Sequence, residues 1–130
     1  MASFTLNICG APYSTSAPLS AWRFAQACVA AGHQVEQVFL YQDGVYLANS
    51  LNCPPQDEIN LTQVWQQLAA QQGFSLNVCV AAALRRGILD VKEAKRYGLA
   101  QHNLAAGFEL VGLGELVTGL ATSTRTVTFK

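Results

Sequence analysis

Strand-like and helix-like segments alternate from one end of this chain to the other, and that alternation limits the folds open to it more than any other feature. Phe4 to Cys9 alternates apolar and polar residues at period two, Val35 to Tyr41 reads as a second strand, and Phe74 to Val80 is an apolar strand-like run. Phe108 to Val111 and Thr124 to Phe129 supply a fourth and a fifth. Between the first two, Ala21, Phe24, Ala25, Cys28 and Val29 recur at helical spacing, behind a loop in which Ser16 can cap and Pro18 can open the helix. Asn60 is placed to cap a second helix whose Leu61, Val64, Trp65, Leu68 and Ala69 form one face. Ala81 to Arg86 is helix-forming, and Leu113, Leu116, Val117 and Leu120 mark a short helix before the last strand. Such a βαβαβαβαβ order predicts a parallel sheet, because parallel neighbours need crossovers that lay helices over the faces. The expected fold is a single α/β domain over residues 1–130, a flavodoxin-like or Rossmann-like sandwich of about five parallel strands with helices on both faces.

Composition narrows the function. The chain has 130 residues, 51% hydrophobic and only 12% charged, so a real core and an unusually apolar surface are expected, some of it meeting other subunits. Eight basic and eight acidic residues cancel, with no basic stripe, which argues against direct contact with nucleic acid or an anionic membrane. Met1-Ala2-Ser3-Phe4 lacks a basic leader, and no apolar run approaches the ~18 residues of a membrane span, so a soluble intracellular protein is expected. The cysteines at 9, 28, 53 and 79 show no CxxC spacing, and neither a zinc cluster nor a disulfide framework is indicated.

Cys79 stands out among the four. It ends the third strand-like run and immediately precedes Ala81-Ala82-Ala83-Leu84-Arg85-Arg86, so it falls at a strand-to-helix junction. The first N–H groups of a helix lack intrahelical partners and favour an anion, and a thiol there can drop from about 8.5 into the range of roughly 3.5–7.5. Chemistry in open α/β sheets also gathers beyond the carboxyl ends of the strands. The competing reading is a cysteine serving only as a small buried hydrophobe. A parallel sheet would bring the Gly10–Ser16 loop, the Tyr41–Val45 loop and Cys79 to one edge.

Other candidates are weaker. Arg85 and Arg86 lie about 9–10 Å further along the helix than Cys79, so direct pairing is doubtful and charge at the last turn before Gly87 is the simpler role. His33 falls on the opposite edge, and His102 reaches the site only if the polar stretch Asp90 to Asn103 folds over it. Without a general base, hydrolytic cysteine chemistry has little support. Were the first and third strands neighbours, about 4.8 Å apart, a Cys9–Cys79 disulfide would be conceivable, against core packing of Cys9. Ser14-Thr15-Ser16 could contact a flavin or nucleotide phosphate, but no GxGxxG or GxxxxGK[ST] accompanies it. Cys28 is expected in the packed stripe, and Cys53, beside Pro54-Pro55, in a loop.

Phe4-Thr5-Leu6, Phe24-Ala25, Gly32-His33, Phe39-Leu40-Tyr41-Gln42-Asp43-Gly44-Val45, Cys79 with Ala82, Arg85-Arg86-Gly87 and Gly112-Leu113-Gly114-Glu115-Leu116 together resemble the DsrE/TusD sulfur-transfer proteins. The resemblance runs nearly end to end. It implies an α/β sandwich that works as a cytoplasmic sulfurtransferase subunit, one of three related subunits in a heterohexamer. It makes Cys79 the position of the sulfur-carrying, catalytic cysteine, with no metal or organic cofactor. It also implies a small acceptor protein whose cysteine-bearing tail exchanges sulfur with Cys79. Asp43 could gate or orient such a tail, though capping its own turn is the simpler role. The likeness is greatest to the DsrE branch of dissimilatory sulfur oxidation. The same relay serving 2-thiouridine in tRNA is the alternative, and a structural or nucleotide- or flavin-binding subunit without sulfur transfer is the other. The family often has Asp-Arg before its last strand, where this chain has Thr124-Arg125.

Overall fold

In the computed structural model, which describes residues 1–130, the strands are β1 (Ser3–Ile8), β2 (Gln34–Leu40), β3 (Ser75–Cys79), β4 (Phe108–Val111) and β5 (Arg125–Phe129). They form one sheet in the order β4-β3-β2-β1-β5, and every neighbouring pair is parallel. The helices are α1 (Ala17–Ala30), α2 (Leu61–Gln72), α3 (Val80–Arg85), α4 (Val91–Arg96) and α5 (Gly114–Thr122). The chain steps outward from β1 to β4, then returns through α5 to add β5 on the far side of β1. Because β2 stands between β1 and β3, the strand neighbourhood that a Cys9–Cys79 disulfide would need is absent, and all four cysteines are free thiols.

Period-two alternation in β1 sorts its residues onto two unlike faces. Phe4, Leu6 and Ile8 face α1, where the Phe4 and Phe24 rings meet edge-on at 5.4 Å, and Leu6 and Ile8 are fully buried. Trp65 of α2 is fully buried on this side as well, its indole Nε1 donating to the Pro18 carbonyl at 3.1 Å. On the other face, register lines Thr5 up with Gln37, and Asn7 with Phe39 and in turn Asn77. Here Asn77 Nδ2 donates to Gln37 Oε1 at 2.8 Å, and Gln37 Nε2 to the Glu115 carbonyl of α5 at 2.8 Å. Gly119 lets α5 settle on this row, since a Cβ there would collide with Gln37 Nε2 and Thr5 Oγ1.

The helix ends follow local chemistry in most places. Asn60 Oδ1 accepts from Gln63 N at 3.1 Å, and Gly73 closes α2 in a left-handed conformation at φ 78°. Ser16 sits at the N-cap of α1 but does not cap it: its backbone is already helical, and Thr15 Oγ1 accepts the Ala17 N–H at 3.2 Å instead. The stretch after Asp90 is not all loop. Asp90 Oδ1 accepts from Glu93 N at 2.8 Å and starts α4, a start signalled by the Asp-x-x-Glu spacing at 90 and 93.

Candidate functional site at the carboxyl edge of the sheet

All five strands run the same way, so the segments after β1, β2 and β3 emerge on one edge, as the alternation predicts. Tyr41 N donates to the Ile8 carbonyl at 2.9 Å, and Cys9 N to the Phe129 carbonyl at 2.8 Å, which fixes the ends of β1, β2 and β5 together. The turn after β2 is a 3₁₀ helix, Gln42–Ala48. Gly44 in it lies against the end of β1 so closely that a Cβ would collide with the Ile8 carbonyl oxygen.

A cavity of about 610 Å³ opens between the loop Cys9–Thr15 and the side chains of Asp43, Tyr46 and Asn52. Two of the three segments expected to share a crevice thus meet. The third does not, for Cys79 is absent from the cavity lining and is only 2% exposed. Cys79 is the last residue of β3 and the N-cap residue of α3, the junction expected from sequence, and its side chain makes no capping bond.

What joins the third segment to the other two is an ion pair. Arg86, at the C-cap of α3, donates from Nε to Asp43 Oδ1 at 2.8 Å and from Nη1 to the Ala82 carbonyl at 3.1 Å. Asp43 therefore neither caps its own turn nor stands free at the edge. The sequence offered Asp43 and Arg86 separately, and nothing in their spacing pairs them.

The cysteine that lines the cavity is Cys9. Burial pushes its pKa up from the ordinary 9.0, while the Lys130 charge and a hydrogen bond from Asn7 pull the other way. Asn7 Oδ1 is itself buried without a partner. Cys28 is buried in the packed stripe of α1, as expected, and burial raises its pKa too. Cys53 is exposed.

Neither histidine joins a cysteine. His33 Nδ1 accepts from Ala2 N at 3.0 Å on the opposite edge, and His102 lines a separate hollow of about 380 Å³ with Leu51, Leu89 and Leu99. No three His, Cys, Asp or Glu side chains converge. Of the hydroxyls considered for a phosphate, that of Thr15 is taken by its own loop: it donates to the Ala11 carbonyl at 2.9 Å and accepts from Ala17 N. No helix is long and apolar enough to cross a membrane.

The whole architecture recurs in solved structures. The YchN protein from E. coli superposes with a TM-score of 0.77 at 21% identity, covering 99% of this chain and 100% of that one. MTH1491 from Methanobacterium thermoautotrophicum, described as a protein of unknown function, gives 0.65 at 14% identity, covering 98% and 99%. At these identities the likeness establishes the fold. The family model described as DsrE/DsrF-like matches residues 2–129, all but the terminal residues, and this chain belongs to that family.

Proposed function

We propose that the chain is a sulfur-carrier subunit that holds a persulfide on Cys79. Membership of the DsrE/DsrF-like family supports a sulfur-relay role in general. The observation that carries the specific reading is the position of Cys79, the last residue of a central strand and the N-cap residue of the helix that follows. The first N–H groups of a helix have no intrahelical partner, which leaves them available to a sulfur placed there.

The chemistry balances without a redox partner. The Cys79 thiolate attacks the outer sulfur of a donor persulfide, the S–S bond of the donor breaks, and the donor leaves as a thiolate. Cys79–S–SH then gives up its outer sulfur when an acceptor thiolate attacks it, which regenerates the Cys79 thiolate. Since Cys79 is only 2% exposed, each attack requires the segment around α3 to open. The proposed partners are two related subunits in a heterohexamer and a small acceptor with a cysteine-bearing tail, in the cytoplasm, serving dissimilatory sulfur oxidation.

Intact-mass measurement after exposure to a low-molecular-weight persulfide tests the reading. Wild type is expected to gain sulfur that a reductant removes and that peptide mapping places on Cys79, and Cys79→Ser to gain none there. Sulfur found equally on Cys9 and Cys53, or none with the partner subunits present, overturns it.

A further inference from the structure

The strand order turns at β1. The chain reaches β2 through α1 on one face of the sheet and returns to β5 through α5 on the other, so the connections on the two sides of β1 leave in opposite directions. In an open α/β sheet this is the switch point, and ligands settle in the crevice beyond the strand ends there. The cavity of about 610 Å³ lies at that place, walled by the Cys9–Thr15 loop that follows β1 and by Asp43, Tyr46 and Asn52 from beyond β2. Small-molecule sites span about 300–1,000 Å³, so it has room for a metabolite.

The loop is fixed before any ligand arrives. Thr15 N and Oγ1 both donate to the Ala11 carbonyl, at 3.1 and 2.9 Å, and the Tyr13 hydroxyl bridges the Ile59 carbonyl and the Leu61 N–H at 3.0 Å each. Yet the N–H groups of Gly10, Ala11, Tyr13 and Ser14 have no partner in the chain, although Gly10 is buried. Backbone donors are rarely left so, and four in one cavity wall call for an acceptor from outside. Neighbouring free N–H groups suit an oxyanion.

We propose that the cavity binds a nucleoside monophosphate, with its phosphate on the free N–H groups of Gly10 to Ser14 and its ribose at Asp43. Where nucleotides bind such sheets, the phosphate takes the turn after the first strand and an acidic side chain further along takes a ribose hydroxyl. Asp43, three residues past β2, gives Oδ1 to Arg86 and keeps Oδ2 as an acceptor. Asn52 donates Nδ2 to the Tyr46 carbonyl at 2.8 Å and keeps Oδ1 for a donor on the base. Tyr13, its hydroxyl committed, offers its ring, and Pro12 and Tyr46 extend the apolar wall. Arg86 offsets the Asp43 charge, and the Lys130 charge is felt at Cys9, so an anion is not repelled. The glycine pattern of dinucleotide sites is absent, and with it the close backbone approach that a pyrophosphate requires, so a single phosphate is the match. Cys79 does not line this site, and binding does not depend on its sulfur chemistry.

Calorimetric titration of the full chain with AMP, GMP, CMP and UMP tests the proposal. At least one is expected to bind with a dissociation constant below about 1 mM, and the matching nucleoside and inorganic phosphate each at least about tenfold more weakly. Bound nucleotide should slow alkylation of Cys9 and leave that of exposed Cys53 unchanged. Ser14→Glu sets a negative charge among the donors and should weaken binding at least about tenfold. Ser14 is exposed, and an unchanged melting temperature will show that the variant folds. Failure of all four nucleotides to bind below that limit, a nucleoside or inorganic phosphate that binds as tightly, or a folded Ser14→Glu that binds as wild type does, overturns the proposal.

Discussion

Arg86 and Asp43, 43 residues apart in sequence, meet at 2.8 Å and tie the end of α3 to the 3₁₀ turn after β2. The pair joins the segment that begins at Cys79 to a wall of the largest cavity.

Removing that link should loosen α3 more than it destabilises the fold. The Asp43 carboxylate is well exposed, so Arg86→Ala should cost only about 0.5–1 kcal/mol in chemical denaturation. Alkylation of Cys79, followed by mass spectrometry on the native protein, should accelerate several-fold. Equal rates in wild type and variant would mean that the pair does not restrain the thiol.

The four thiols should separate by exposure and by pH. Cys53 should react first with iodoacetamide, and Cys28 and Cys79 last. Cys9 should reach its half-maximal rate above the ordinary pKa of 9.0, because burial raises its pKa and leaves less thiolate at a given pH. Lys130→Ala removes a charge that favours the Cys9 thiolate and should move that midpoint higher still. A pKa raised in the folded state adds stability that is complete below the ordinary 9.0 and is lost as pH rises through the folded value. Denaturation midpoints should therefore fall in that alkaline window, and less so in Cys9→Ala.

Gly44→Ala should be among the costliest small substitutions. Its added methyl meets the Ile8 backbone carbonyl, which cannot swing aside as a side chain would. A loss of about 1–3 kcal/mol is expected, read as a drop in melting temperature, together with altered reactivity of neighbouring Cys9.

Gln37 should hold α5 to the sheet. Gln37→Leu leaves Asn77 Nδ2 without its acceptor and the Glu115 carbonyl without its donor. Each stranded group costs about 1–3 kcal/mol when buried. Hydrogen exchange should rise in α5 and not in α1, whose contacts lie on the other face. Uniform acceleration across the sheet would point instead to general unfolding.

Much of this molecule was legible in the chain because its signals are local. Period two in Phe4 to Cys9 and period 3.6 in Ala21 to Val29 depend on the geometry of single elements, and the cap at Asn60 on residues within one turn. The same locality places Cys79 at the end of β3 and the start of α3. Ser16 leaves α1 uncapped because its own backbone is already helical and Pro18, the second helical residue, has no N–H to offer, a loop path that its residue type alone does not reveal.

The sequence by itself determined the five strands and four of the helices, that the strands run parallel, and that Cys79 lies where strand passes into helix, while α4 and the 3₁₀ turn after β2 were not read from it. Only the tertiary structure decided that β2 separates β1 from β3, that Cys9 and not Cys79 lines the cavity, that Arg86 reaches Asp43, and that α5 packs Leu116 on the core while Val117 and Leu120 stay exposed. The physical reason is common to all four. Each depends on which elements become neighbours, and the direction in which a crossover returns to the sheet is set by the packing of the whole chain, not by the periodicity of any one segment.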